Sequence, residues 1–371
     1  MTDLQKTPLH EFCVARGAKM VPFAEWDMPV QFPTGVMKEH AHTREAASLF
    51  DVSHMGQLIV SGDSLETAAA ALETVTPASV AGLKPWRQRY GIFTTDDGGI
   101  IDDFMFANHE THFYVVVNAA RIEEDLEVLH QVEGLQVERI EDRALLALQG
   151  PHAERVLEGL IAGAAEMVFM DSKKLAWDGT EVWVARSGYT GEDGFEVSLP
   201  ADRAVEFAEL LLADASVELA GLGARDSLRL EAGMPLYGND LSEEINPLEA
   251  GIGFAIPKVR RPGGSREGGY PGAEALAEIF EAGPRRERVG LRPEGRAPIR
   301  DGVTLFADTE SGVPIGVVTS GGFGPTIGGP IATAMLPPGT APGTTVQAEL
   351  RGKRVPVVVT ELPFVPHQYK R

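Results

Sequence analysis

Hydrophobic positions along this chain fall into short runs divided by glycine and proline turns, some spaced for helices and others alternating as in strands. Residues 7–16 read as a short helix. The stretch 18–30 carries two prolines and two aromatic residues, and is expected to be a packed, shaped loop rather than a regular element. Helical spacing returns over 36–49, followed by an alternating strand over 57–61. Residues 63–66 resemble a capping box. Leu65, Ala68, Ala69 and Leu72 then fall at i, i+3, i+4 and i+7, which predicts an amphipathic helix.

A strand pair is expected next, with Tyr90-Gly91-Ile92-Phe93 on one side, residues 100–106 on the other, and Asp96-Asp97-Gly98-Gly99 as the turn. Residues 113–117 form a β-branched strand ending at Asn118, and 119–132 a helix with Ile122, Leu126 and Leu129 inward. That order over 63–140 predicts a small antiparallel sheet with helices on one face. Buried strands follow at 144–148 and 180–186. The eleven residues 186–196 hold three glycines and three acids, a composition that fits a loop folded closely over a ligand or a mobile surface turn. Gly221-Leu222-Gly223 opens a helix, with glycine spacing that matches neither the dinucleotide nor the P-loop pattern. From Arg288 onward, short β-rich runs between Gly/Pro turns predict an all-β terminal domain, a small barrel or jelly roll. No internal repeat is evident.

At 371 residues the chain exceeds what one hydrophobic core usually organises, so two or three domains are expected. The single cysteine, Cys13, excludes an intramolecular disulfide, residues 1–16 lack a continuous apolar segment, and no run approaches membrane-spanning length. The expected location is a reducing cytoplasm, or a mitochondrial matrix in a eukaryote. A net charge of -21 argues against a phosphate backbone as partner. The charge is uneven, because residues 258–300 carry ten basic side chains against six glutamates. Such a basic island fits a docking surface, though a solvated face with no partner fits any single arginine in it as well.

The densest candidate chemistry is Gly98-Gly99-Ile100-Ile101-Asp102-Asp103, two adjacent carboxylates just past a glycine turn. Strand alternation sends Asp102 and Asp103 to opposite faces, so only one can serve a given cavity. Taken locally, a solvated acidic turn explains the motif equally well. His54 has no partner set at metal-ligand spacing and is read as structural or pocket-lining.

Several motifs occur together and in order over about residues 7–369. They are Gly17-Ala18-Lys19-Met20, Phe50-Asp51-Val52-Ser53-His54-Met55-Gly56, the Gly98–Asp103 motif, the 186–196 loop, Gly221-Leu222-Gly223-Ala224-Arg225-Asp226, Asn246-Pro247 and Val318-Thr319-Ser320-Gly321. This set resembles the glycine cleavage system T-protein family, the aminomethyltransferases. The resemblance implies an α+β fold: a three-domain cloverleaf around a central folate channel, with a ferredoxin-like second domain and a C-terminal β-barrel or jelly-roll domain. The expected division is 1–50 with about 141–285 as a discontinuous folate-binding domain, 51–140 as the second, and 286–371 as the third.

The implied reaction moves a methylene from the aminomethylated lipoyl arm of the H-protein to tetrahydrofolate, with no metal, nucleic acid or membrane involved. By motif position, Asp103 is the catalytic carboxylate beside the folate, with Met55, Tyr90 and Asn118 as channel contacts. Tyr189, Glu196 and Arg225 surround the pterin and folate, and Tyr369 is a C-terminal substrate contact. A carboxylate such as Glu196 suits the donor-and-acceptor edge of a pterin. Asp102 is left facing the other side of the strand in a structural hydrogen bond. Pro271-Gly272-Ala273 and the loop 320–325 depart from the family pattern. The basic island is expected to help dock the H-protein. A related folate-dependent demethylase of a small methylated substrate, or a non-catalytic folate-binding protein, would share the fold.

Overall fold

The computed structural model describes residues 4–371. Its first assembly is a six-stranded sheet in the order Ser172–Trp177, Thr180–Ala185, Gly194–Pro200, Arg143–Gln149, Ala47–Asp51, Val217–Leu219. Only the last pair is parallel. Both faces of its central strand are covered. Ala144, Leu146 and Leu148 join the core under the helices His10–Ala15, Ala153–Glu158 and Ala204–Leu212, while Leu145 and Ala147 pack with Ala224 and Leu228 of the helix Leu222–Glu231. Burial on both sides is why this strand reads as an unbroken apolar run.

The second assembly is a five-stranded antiparallel sheet, Gln88–Thr94, Ile100–Asn108, Phe113–Val117, Gly56–Ser61, Gln136–Arg139, with the helices Leu65–Leu72 and Ile122–His130 packed on one face. Phe93 and Phe104 stack there with ring centroids 4.3 Å apart. The opposite face carries Asp103, Met105, Tyr114 and Val116 toward the first sheet. The third is a closed six-stranded barrel, Glu287–Pro293, Gly329–Leu336, Pro314–Gly324, Thr304–Phe306, Thr345–Leu350, Lys353–Thr360. Asp240 ties the barrel to the first assembly. It is fully buried and accepts from Arg229 Nη1 (3.0 Å), Ser320 Oγ (2.7 Å) and Thr333 Oγ1 (2.7 Å).

Four local expectations are corrected. The 18–30 stretch is a hairpin, Lys19–Phe23 with Trp26–Gln31; its prolines are tolerated because a two-stranded ribbon consists only of edges. Its turn residues, Ala24 (φ 46°) and Glu25 (φ 67°), adopt the left-handed conformation without the usual glycine or asparagine signal. The helix expected over 36–49 stops at Glu45, since Ala47–Asp51 is wholly buried as a strand of the first sheet. The helix at Leu65 is capped by Ser64 and Thr67 rather than by Asp63 and Glu66. The glycine-rich loop ends before Gly194, where the strand bearing Glu196 begins.

The hairpin bearing Asp102 and Asp103 is held by main chain. Ile100 N–H donates to Ser242 O (3.0 Å) and to Ile245 O (3.2 Å), and a Cβ on Gly99 would sit 1.8 Å from Glu243 O. Gly272 in turn packs on Gly98, and Thr94 Oγ1 donates to Pro271 O (2.6 Å). Ile92 and Ile100 complete a core with Leu241, Ile245, Ala250, Ile252 and Met335, joining hairpin, connecting segment and barrel. Gly99→Ala is therefore expected to destabilise the protein by about 1–3 kcal/mol, because backbone cannot yield as a side-chain tip can. Gly295→Ala, where a Cβ meets nothing within 4 Å, is expected to stay within about 0.5 kcal/mol. Urea denaturation of the two variants checks this.

Candidate active site

Asp103 projects from the strand Ile100–Asn108 on the face opposite Asp102. It pairs across the ladder with Ile92, which places Tyr90, two residues along on the same face, diagonally beside it. The Tyr90 hydroxyl is buried, faces Asp103, and has no hydrogen-bond partner of its own. Asn118, just past the strand Phe113–Val117, spans both acids. Its Nδ2 lies 2.9 Å from Asp102 Oδ1, 2.9 Å from Asp103 Oδ1 and 3.0 Å from Asp103 O. Burial raises the Asp103 carboxyl above its ordinary value, and the contacts of Tyr90 and Asn118 offset only part of that rise.

The first sheet supplies the opposing wall. The loop after Ala185 is firmly held. Arg186 is buried and pairs with Asp193 and Glu154, Gln149 Nε2 donates to Ser187 O (2.9 Å), and Thr190 Oγ1 donates to Gln149 Oε1 (2.8 Å). A Cβ on Gly188 would overlap the Gln149 amide. This loop sets Tyr189, whose hydroxyl donates to Pro235 O and whose ring lies 4.8 Å from the Arg225 guanidinium. Arg225 Nη2 is 4.0 Å from Met55 Sδ, and its buried Nη1 has no partner. Burial lowers the Arg225 pKa, against the opposing charges of Glu196 and Tyr189.

Glu196 Oε2 accepts from Ser187 Oγ (2.9 Å). Its side chain borders a narrow cavity between the sheets, lined also by Gln88, Met105, Tyr114, Val116 and Trp183. Met105 lies two positions beyond Asp103 on the same face, about 7 Å along the strand. Phe254, 65% exposed, sits against Tyr90 with ring centroids 5.6 Å apart and forms an outer lip.

Proximity links Asp103, Tyr90, Tyr189, Arg225 and Glu196 in turn, with Asn118 on Asp103 and Met55 on Arg225; of the seven, Glu196 lines the narrow cavity between the sheets. Tyr369 lies beside the far side of the loop, where Gln368 N–H donates to Gly191 O (2.8 Å). It stacks on Phe169 at 4.0 Å, and among the described residues no hydrogen bond or ring contact ties it to Asp103, Glu196 or Arg225. His54 is buried, and desolvation with the Arg225 charge pushes it down to about 3, so it lines the site as a neutral ring. Asp125, absent from the sequence reading, lies behind Asp102. Its signal was an acid at i+3 from Ile122 on the inward face of the helix Ile122–His130.

Half of the basic island is committed inside the protein, Arg286 among it through Glu249 (3.2 Å). Arg260 donates to Glu73 O, Arg261 to Ile256 O and Gly253 O, Arg288 to Ala250 O and Gly233 O, and Arg266 pairs with Glu73. Lys258, Arg285, Arg292, Arg296 and Arg300 remain exposed. Among the described residues no group of three or more His, Cys, Asp or Glu is placed to hold a metal ion, and no helix is long and apolar enough to cross a membrane.

A carboxylate of raised basicity, aromatic and aliphatic walls, and an arginine and a glutamate with spare hydrogen-bonding capacity define a small-molecule enzyme site between domains. Residues 9–260 match the GCVT N-terminal domain, and residues 286–366 the glycine cleavage T-protein C-terminal barrel domain. The chain belongs to the glycine cleavage T-protein family. It is 41% identical to a mitochondrial aminomethyltransferase of Dictyostelium discoideum, covering all of this chain and 94% of that one. It is 43% identical to a mitochondrial aminomethyltransferase of Flaveria trinervia, covering 99% and 91%. The crystal structure of glycine cleavage system aminomethyltransferase T from Bartonella henselae superposes with a TM-score of 0.91 at 44% identity, covering 99% of this chain and all of that one.

Folded Asp103 holds its proton to higher pH than an unfolded aspartate, near 3.9, so the folded state binds more protons in between. Stability from this group is full at low pH and is lost as pH rises through the folded value. Asp103→Asn is therefore expected to gain stability relative to wild type as pH rises from about 4 through about 6, and to hold that gain at higher pH. Denaturation midpoints measured across that range check it; a pH-independent difference counts against the raised pKa.

Proposed function

We propose that the chain is the aminomethyltransferase of a glycine cleavage system. It transfers the methylene of the S-aminomethyl-dihydrolipoyl arm of the H-protein to tetrahydrofolate, giving 5,10-methylenetetrahydrofolate, ammonia and the dihydrolipoyl H-protein. The observation that carries this reading is a carboxylate with a raised pKa, Asp103, on the same slot as the unpartnered Arg225.

The residues suit a folate. Arg225 Nη1 is a buried polar atom with no partner among the described residues, and a ligand that pairs with it relieves a desolvation cost. Glu196 uses one oxygen on Ser187 and makes no hydrogen bond within the protein through the other, which leaves an acceptor for a pterin edge. Met105 and Val116 provide the flat apolar wall. Tetrahydrofolate, when bound, supplies the two nitrogens that take up the methylene.

The chain's own residues hold charge and protons. Asp103, as the anion, accepts a proton from the attacking nitrogen and stabilises the positive charge that develops beside it. Asn118 fixes the orientation of that carboxylate by donating to its Oδ1 and to the Asp103 backbone carbonyl, and Tyr90 closes the site on the side of Phe254. Phe254, beside Tyr90, marks the mouth, and the exposed Lys258 and Arg285 offer the H-protein positive charge. The acidic remainder of the surface offers nucleic acid and anionic membranes no partner. The reaction belongs in the cytoplasm, or in the matrix of a eukaryote, as the word mitochondrial in the relatives' names suits.

Asp103→Asn is expected to keep tetrahydrofolate affinity within a few-fold and to lower turnover by at least about a hundredfold. The assay is ammonia and methylenetetrahydrofolate release from aminomethylated H-protein, run beside free small methyl donors. Turnover with the small donors alone replaces the reading by a folate-dependent demethylase, and binding without turnover by a carrier. Reversing charge at Lys258 and Arg285 together is expected to raise KM for the H-protein and flatten its salt dependence without changing kcat.

A further inference from the structure

Asp102 and Asp125 are both fully buried, and they face each other between the five-stranded sheet and the helix Ile122–His130. Asp102 Oδ1 accepts from Asn118 Nδ2, but Asp102 Oδ2 and both carboxylate oxygens of Asp125 meet no donor. No donor among the described residues reaches these three acceptors, which lie in an apolar layer containing Ile122 and Leu129, and a proton shared between the two carboxyls satisfies one oxygen on each. Arg121, the adjacent cation, is engaged by Glu124 (3.2 Å) and Glu243 (3.2 Å) through its terminal nitrogens, and its buried Nε makes no hydrogen bond to either acid. Asp103 and Tyr237 are the other titratable groups beside the pair, and neither supplies it a donor. Burial and the charge of Asp102 both favour the protonated form of Asp125.

Resting on the proposed function, we propose that Asp125 is a positioning residue: as the protonated partner of Asp102, it keeps Asp102 a fixed acceptor that aims Asn118 at Asp103 and sets the basicity of Asp103. The chain of contacts runs Asp125, Asp102, Asn118, Asp103, and it crosses from the helix side of the sheet to the slot. One negative charge, not two, then stands behind the site. Without the proton donor, Asp102 takes up the proton itself. Its charge is lost, Asn118 is held less firmly, and Asp103 becomes a weaker base.

The test compares Asp125→Leu and Asp125→Asn. The asparagine keeps a donor toward Asp102 and the same net charge; the leucine keeps volume only. Asp125→Leu, folded by thermal melting, is expected to lose about tenfold in kcat, the scale typical of residues that orient a site from behind. Its KM for tetrahydrofolate should stay within about threefold, and the acid limb of its pH–rate profile should move to lower pH. Asp125→Asn is expected to restore most of the lost kcat and the position of the limb. Infrared difference spectra give a readout independent of turnover: a protonated carboxyl stretch in wild type at neutral pH, lost in Asp125→Asn. Wild-type kcat and limb in Asp125→Leu, equal impairment in both variants, or no such stretch in wild type each overturns the proposal. Failure of wild type to turn over aminomethylated H-protein would instead overturn the proposed function and leave the infrared result to judge the carboxyl pair.

Discussion

The amide of Ile100 donates to two carbonyls of the connecting segment, Ser242 and Ile245, and the glycine before it leaves no room for a Cβ against Glu243. This backbone contact decides where the acid-bearing strand starts. Strand alternation does the rest, since one residue of slip would exchange Asp102 and Asp103 between the helix layer and the slot. The connecting segment that makes the contact also carries Asp240, through which it is bound to the barrel. The barrel, distant in sequence, thus helps fix the register of the strand that carries the proposed base.

Two kinds of buried acid occur here, and they differ by their partners. Asp240, Asp193 and Glu231 lie against arginines or a histidine: Arg229, Arg186, and His40 with Arg44. These pairs brace the first assembly and the segment that leads out of it, and losing either partner would strand a charge in low dielectric. Asp102, Asp103 and Asp125 have only an asparagine, a tyrosine and each other, so burial moves them upward in pKa rather than down. The same fold therefore contains carboxylates kept ionised for structure and carboxylates kept basic for chemistry.

The sequence made the larger elements readable wherever one physical signal dominated. The period-two and period-3.6 spacings located the hairpin at Gly98 and the helix at Leu65, and the Gly/Pro-punctuated end of the chain announced a barrel. Reading failed where tertiary context overrode local chemistry. Ala47–Asp51 has helical neighbours but is claimed by the sheet, and the prolines of 18–30 sit on edges that only the folded ribbon defines. The basic island misled in another way, because a charge count cannot tell an arginine in water from one donating to carbonyls. In the candidate site, the motif residues were visible and Asp125 was not. A single buried acid on a helix gains meaning only when the oxygen it faces is known.

Arg225 keeps a polar atom out of water with no partner among the described residues, so the protein alone pays a desolvation cost that a bound ligand removes. A ligand that binds only the folded chain adds its binding free energy to folding. The slot is thus also a point of control over folding stability. When the ligand is scarce, the unliganded chain visits unfolded states more often than the liganded one.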